Sequence, residues 1–319
     1  MKCLHVGGFA LGLVALGCGG STGPGASDRT HPTLAQVDSV PVGGTAYGVA
    51  ISAKGRTYVT LLNANAVVQD DTLPVNSFGS PIAVGLVPPH VAFNPAGDRA
   101  FVVAQTGQNL TAINVSTGSA IDSVSLPADG FNLITSADGS EVFVSVSTGQ
   151  VYVVNASSLA IVDSIILPPA VNGFARHPTL NRIYISSRDG GIVVEVDAAT
   201  HQVRRTFPTG GMPQRLAVSP NGKELLIANE TIGVDIWALG SGTRDTTLAM
   251  AAYGLGLSPD GRKIYVASGP GGGITVVDRR SRGVDTAFIV GGTTRNVAFD
   301  AKGTTAVITN EAGFVTVVR

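Results

Sequence analysis

A turn-bounded phrase recurs along the chain at a nearly constant interval, and nothing else in the sequence restricts the fold so tightly. Ser52-Ala53-Lys54-Gly55, Asn94-Pro95-Ala96-Gly97, Ser136-Ala137-Asp138-Gly139 and His177-Pro178-Thr179-Leu180 are followed by Ser219-Pro220-Asn221-Gly222, Ser258-Pro259-Asp260-Gly261 and Asp300-Ala301-Lys302-Gly303. Their last residues stand 42, 42, 41, 42, 39 and 42 apart. A self-similar unit of about 40 residues has the period of a propeller blade. Each unit places a short strand before the phrase (Val49-Ala50-Ile51, Val91-Ala92-Phe93) and a second after it (Tyr58-Val59-Thr60, Phe101-Val102-Val103). A β-branched third follows (Val151-Tyr152-Val153-Val154), and a fourth closes most units (Ile121-Asp122-Ser123-Val124). Short strands rich in Val, Ile, Tyr and Phe, parted by Gly, Pro, Asn and Asp, make one antiparallel sheet per unit. No segment beyond the N-terminus carries a helical apolar period. The expected fold is therefore all-β, a seven-bladed β-propeller of four-stranded antiparallel blades over residues 33–319.

The chain ends predict how the ring closes. The seventh unit stops after its third strand, Phe314-Val315-Thr316-Val317-Val318, while Val37-Asp38-Ser39-Val40 near the start echoes the fourth strand Ile121-Asp122-Ser123-Val124. An N-terminal strand completing the last blade covers both exposed sheet edges.

The second-strand phrases Tyr58-Val59-Thr60-Leu61, Tyr265-Val266-Ala267-Ser268 and Val307-Ile308-Thr309-Asn310, with third strands ending in Asp197 and Asp278, resemble the Tyr-Val-Thr-Asn repeat of the bacterial YVTN β-propellers. The resemblance spans about residues 33–319. It implies a seven-bladed, usually extracytoplasmic propeller and no single chemistry, because function on this fold lies in its sites.

The N-terminus reads as an address. Met1-Lys2 precedes a short apolar run, Phe9 to Gly17, too short to span a membrane as a helix. Val14-Ala15-Leu16-Gly17-Cys18 resembles a bacterial lipobox, a resemblance that implies a lipoprotein signal peptide over residues 1–17 and lipidation of Cys18. Residues 18–32, rich in Gly, Ser and Pro, are expected to be a flexible tether. The expected location is the bacterial cell envelope, on the periplasmic side of the outer membrane or the cell surface, with the membrane reached through the lipid alone.

Both cysteines, Cys3 and Cys18, fall in this leader, so the propeller has no thiol for a disulfide framework, an iron–sulfur cluster or a cysteine nucleophile. A net charge of −1 with 6% aromatics gives no basic face for nucleic acid, although such binding has been considered for relatives of the YVTN propellers. Of five histidines, His5 and His31 precede the propeller, and His177 and His201 fall in turns, the latter predicted to be exposed. Only His90 reaches the channel entrance, so no multi-histidine metal site and no cofactor are expected.

Counting back from each turn phrase aligns the positions that open on the central channel. One ring reads Gly48, His90, Asn132, Gly173, Arg215, Gly254, Asn296, and its upstream neighbours read Tyr47, Pro89, Phe131, Asn172, Gln214, Tyr253, Arg295. Variation at matched positions of a repeat is what a ligand-facing surface shows, and a plain solvated channel mouth shows the same. Loops after the second strands add Asn63, Gln105, Arg188, Asp189, Asn229, Glu230, Asn310 and Glu311 to the same face. The candidate ligand-binding residues are His90, Asn132, Arg215, Arg295, Asn296, Tyr47, Gln214, Tyr253, Arg188 and Glu230. Arg188, Arg215 and Arg295 suit a carboxylate or phosphate; Glu230, Glu311 and Asp189 are placed to neutralise them instead. No catalytic residue is assigned. The favoured reading is a monomeric, non-enzymatic, lipid-anchored platform binding a protein or small molecule. The alternative is a lactonase- or lyase-type enzyme at the channel entrance, with Arg215 or Arg295 stabilising charge and His90 or Glu230 as acid or base. Polar groups converging on one point would favour the enzyme, and groups scattered round the ring the platform.

Overall fold

The computed structural model describes residues 32, 34 and 36–319. The expected signal peptide, the expected lipidation site Cys18 and the expected tether as far as residue 31 lie outside the described residues. From Val37 onward the chain forms seven four-stranded antiparallel sheets. Their innermost strands are Ala46–Ile51, His90–Phe93, Gly130–Thr135, Val171–Arg176, Pro213–Val218, Gly254–Leu257 and Thr294–Phe299. Each touches the innermost strand of the next blade, and the seventh touches the first. The molecule is a seven-bladed β-propeller.

The last blade combines both ends of the chain. Thr294–Phe299, Ala306–Asn310 and Phe314–Val318 are completed by Val37–Pro41, running antiparallel with Val37 opposite Val318 and Pro41 opposite Phe314. Val40 and Val42 are buried in a cluster that includes Val315 and Val317 of this blade and Val59 and Leu61 of the first.

Buried apolar residues form seven such clusters, one in each gap between neighbouring blades. Blades therefore bury both faces, which explains why only 13% of residues are charged and why middle strands such as Ala306–Asn310 are wholly buried. The outer strands meet water, as Ser119–Ser125 shows.

The recurring second-strand phrase has a physical reading here. Its aromatic position (Tyr58, Phe101, Phe143, Tyr184, Tyr265) fills the gaps between blades. Its hydroxyl position staples inner strands together. Thr309 Oγ1 accepts from the Asn296 amide (3.0 Å) and donates to the Tyr47 carbonyl of the next blade (2.6 Å). Ser186 does the same between Gly173 (2.7 Å) and the Gln214 carbonyl (2.9 Å). Its asparagine clamps the incoming loop, Asn310 Oδ1 accepting from Thr293 N and Asn229 Oδ1 from Met212 N. Asn229 and Asn310, expected among the polar residues of the loop face, thus serve the loop backbone.

Two local details differ from expectation. The fourth strand of the first blade is reduced to Ile82–Ala83, after an excursion in which Asp70 accepts from the amides of Thr72, Asn76 and Ser77. His201, expected to be exposed, instead bridges Asp163 (2.7 Å) and Glu141 (3.2 Å) of the preceding blade and rests edge-on against Phe143.

Candidate functional site at the channel mouth

The aligned entrance positions divide into two kinds. At Gly48, Gly173 and Gly254 the neighbouring blade comes so close that a Cβ would fall on its backbone, for Gly173 on the Gln214 carbonyl and for Gly254 on the Arg295 carbonyl. Blade packing, and not a ligand, requires glycine there. At the other four positions His90, Asn132, Arg215 and Asn296 carry polar side chains into the channel.

Arg215, from the fifth blade, spans it. Its Nε donates to Asn296 Oδ1 of the seventh blade (2.6 Å), and Nη1 donates to the carbonyl (3.0 Å) and Oδ1 (2.6 Å) of Asn172 in the fourth. Its Nη2 meets His90 Nε2 of the second blade at 2.6 Å. His90 Nδ1 lies 2.7 Å from the Phe131 carbonyl, so the proton belongs on Nδ1 and Nε2 accepts from the guanidinium. Asn132 Nδ2 donates to the Asn172 carbonyl (2.5 Å), and Asn296 Nδ2 to the Tyr47 carbonyl (2.6 Å). Burial, and after it the Arg215 charge, holds the His90 imidazole well below its usual range, so it is neutral. Burial also pulls Arg215 below its ordinary value, but a guanidinium stays charged near neutral pH.

Above this floor lies a cavity of about 310 Å³, at the small end of ligand sites. Tyr47, Phe131 and Tyr253 give it aromatic walls, Ala170 and Val171 an apolar patch, and Asn172, Gln214, Ser147 and Arg215 its polar surface. Arg188, Glu230 and Arg295 complete the rim. The rim charges are paired. Arg188 meets Glu230 (2.9 Å) and Asp189 (3.0 Å), and Arg295 meets Glu311 (2.6 Å). Burial would lower Arg188, but its two carboxylate partners outweigh that and raise it. Arg295 also sits between the rings of Tyr47 and Tyr253, 5.6 and 5.5 Å from their centroids. Gln214 donates to Glu230 and accepts from Asn172, joining rim to floor.

Of the candidate residues, Tyr47, Arg188, Gln214, Arg215, Glu230, Tyr253 and Arg295 line this one cavity. His90, Asn132 and Asn296 lie beneath it as the supports of Arg215 and Asn172. Sequence reasoning did not single out Phe131 and Asn172, although both stand in the aligned upstream row. Ser147 and Ala170 sit on loops that row does not index, and Val171 opens the strand Val171–Arg176 one place before it. Among the described residues no three His, Cys, Asp or Glu side chains come together to hold a metal ion.

No protein-family model matches the chain. The uncharacterized protein YncE of Salmonella typhi is 28% identical over 144 residues, as is that of Salmonella typhimurium; the match covers 43% of this chain and 40% of those proteins. The similar segment thus spans well under half the length of either relative. Hydrazine synthase of Kuenenia stuttgartiensis superposes with a TM-score of 0.75 at 15% identity, over 93% of this chain and 99% of that one, a likeness of fold alone. The chain is a seven-bladed β-propeller with YncE as a distant relative.

Proposed function

We propose that the protein is a binding propeller, without catalysis of its own, that captures a small molecule at its channel mouth. In this reading it is a monomer held on the extracytoplasmic side of a bacterial envelope by a lipid on Cys18, as a YVTN-type lipoprotein. The observation that carries the reading is the part-aromatic cavity over a floor whose polar groups are already engaged with one another. Those groups do converge, which taken alone favours an enzyme. They converge on each other, however. The His90 Nε2 lone pair is taken by Arg215 and its proton by a carbonyl, and Glu230 accepts from Arg188 and Gln214. A general base needs a free lone pair aimed at substrate, so the lactonase or lyase alternative has the weaker support.

The test is extraction. Protein purified from its native envelope should retain a small molecule detectable by mass spectrometry, and the Tyr253→Ala variant should lose it. If the parent retains nothing that the variant lacks, the reading fails. Detergent partitioning of Cys18→Ser, which should move to the aqueous phase, checks the anchor separately.

A further inference from the structure

We infer that the ligand of this cavity is a small organic anion, one carboxylate on an apolar or aromatic body, with Arg215 as its counter-charge; the inference rests on the channel mouth being a ligand site. The three arginines of the mouth look equivalent in sequence, yet the structure separates them. Arg188 and Arg295 have carboxylate partners within 3.0 Å. Arg215 has none among the described residues. Its hydrogen-bond partners are two asparagines and a neutral histidine, and the like charge of Arg295 acts on it as well.

Its hydrogen-bonding needs are thus met while its charge is not. A charge removed from water without a counter-charge is unfavourable, and the open side of this one faces the cavity. An anion entering there also meets the Tyr47 phenol of the cavity wall, a group able to donate its O–H. One uncompensated positive charge matches one carboxylate; a phosphate dianion would leave a negative charge over. The walls above, Tyr47, Phe131 and Tyr253 with Val171, are suited to a flat or aliphatic body. The rim arginines contribute no free positive charge, since Arg188 and Arg295 face three carboxylates, Glu230, Asp189 and Glu311.

The experiment is calorimetric titration of the full protein with benzoate and 3-phenylpropionate, each against its primary amide, with inorganic phosphate and benzylamine alongside. The acids should bind at least tenfold tighter than the amides. Arg215→Gln should erase that preference, and Arg215→Lys, which keeps the charge, should retain part of it. The acid-against-amide comparison in the parent protein stands even if a variant fails to fold. Equal binding of acid and amide, or phosphate binding tighter than either acid, overturns the carboxylate assignment. So does the absence of any binding by the acids. In each of these cases a molecule extracted with the parent and lost from Tyr253→Ala keeps the mouth as a ligand site; if that is missing too, both readings fall.

Discussion

Val40→Ala combined with Val42→Ala tests whether the N-terminal strand holds the whole ring or merely decorates its last blade. Both valines are nearly inaccessible, 7% and 5% exposed, and share one cluster with residues of the first and seventh blades. Each substitution removes two buried carbons at about 0.8 kcal/mol apiece, to which the residual cavity adds. Because the sites share neighbours their costs do not simply add, and the pair should cost about 4 kcal/mol. At the usual unfolding entropy per residue this lowers the Tm by roughly 7 °C in a domain of this length.

The reporter is built in. Trp237 is the only tryptophan; it is buried in the fifth blade, edge-on to Phe207, and the sixth blade separates it from the closing strand. Unfolding followed by Trp237 fluorescence and by far-ultraviolet circular dichroism should shift together by the full amount. Val162→Ala, on the outer strand Ile161–Ile166 and 54% exposed, should move either probe by less than about 0.5 kcal/mol. If dichroism moves while the Trp237 midpoint stays with the parent, the strand stabilises only its own blade and the reasoning about closure is wrong.

Buried polar groups give three further outcomes. The hydroxyls of Tyr58 and Tyr265 are buried without a partner, and burial raises Tyr58 to about 12. Tyr58→Phe should therefore stabilise the protein by about 1 kcal/mol in urea unfolding. Thr309→Val strips the staple between Asn296 N and the Tyr47 carbonyl and should cost about 1–3 kcal/mol in the same assay, while Thr309→Ser restores most of it. Burial lowers the His201 imidazole, but its bonds to Asp163 and Glu141 outweigh that and raise it. A folded pKa above the unfolded one gives stability that is full below about pH 6.5 and lost as pH rises through the folded value. His201→Gln should accordingly be less stable than the parent at pH 5.5, by no more than about 1 kcal/mol after screening, and equal to it at pH 9; a gap that widens with pH contradicts the assignment.

The fold was legible because its determinants are local. Gly55, Gly97, Gly139, Gly222, Gly261 and Gly303 all have positive φ, so the turn itself selects them. Where the fourth copy lacks glycine, His177 Nδ1 clamps the turn by accepting from the amides of Thr179 and Leu180. Closure was legible because one strand occurs at the wrong end of the chain. The site was legible only as a set of positions. Whether an entrance residue faces a ligand or a neighbouring blade depends on pairs some 40 residues apart, such as Gly173 with Gln214, and no local pattern carries that. His201 was misread for the same reason, since its carboxylates belong to the preceding blade.

Arg215 joins two roles that substitutions can separate. Its N–H groups tie the fifth blade to the second, fourth and seventh across the axis, which stabilises the ring. Its charge lacks a counter-charge, which does the opposite. Arg215→Gln removes both, leaving acceptors on Asn172, Asn296 and His90 short of donors but relieving the buried charge; about 2 kcal/mol of net loss is expected. Arg215→Lys removes the planar fork and keeps a charge that is more compact and more strongly hydrated, so it should be the less stable variant by about 1 kcal/mol or more. Chemical denaturation of the two variants without any ligand decides it. Lysine more stable than glutamine would mean that the positive charge is welcome in the empty channel, and the premise of an anion-seeking floor would fall before any ligand is tried.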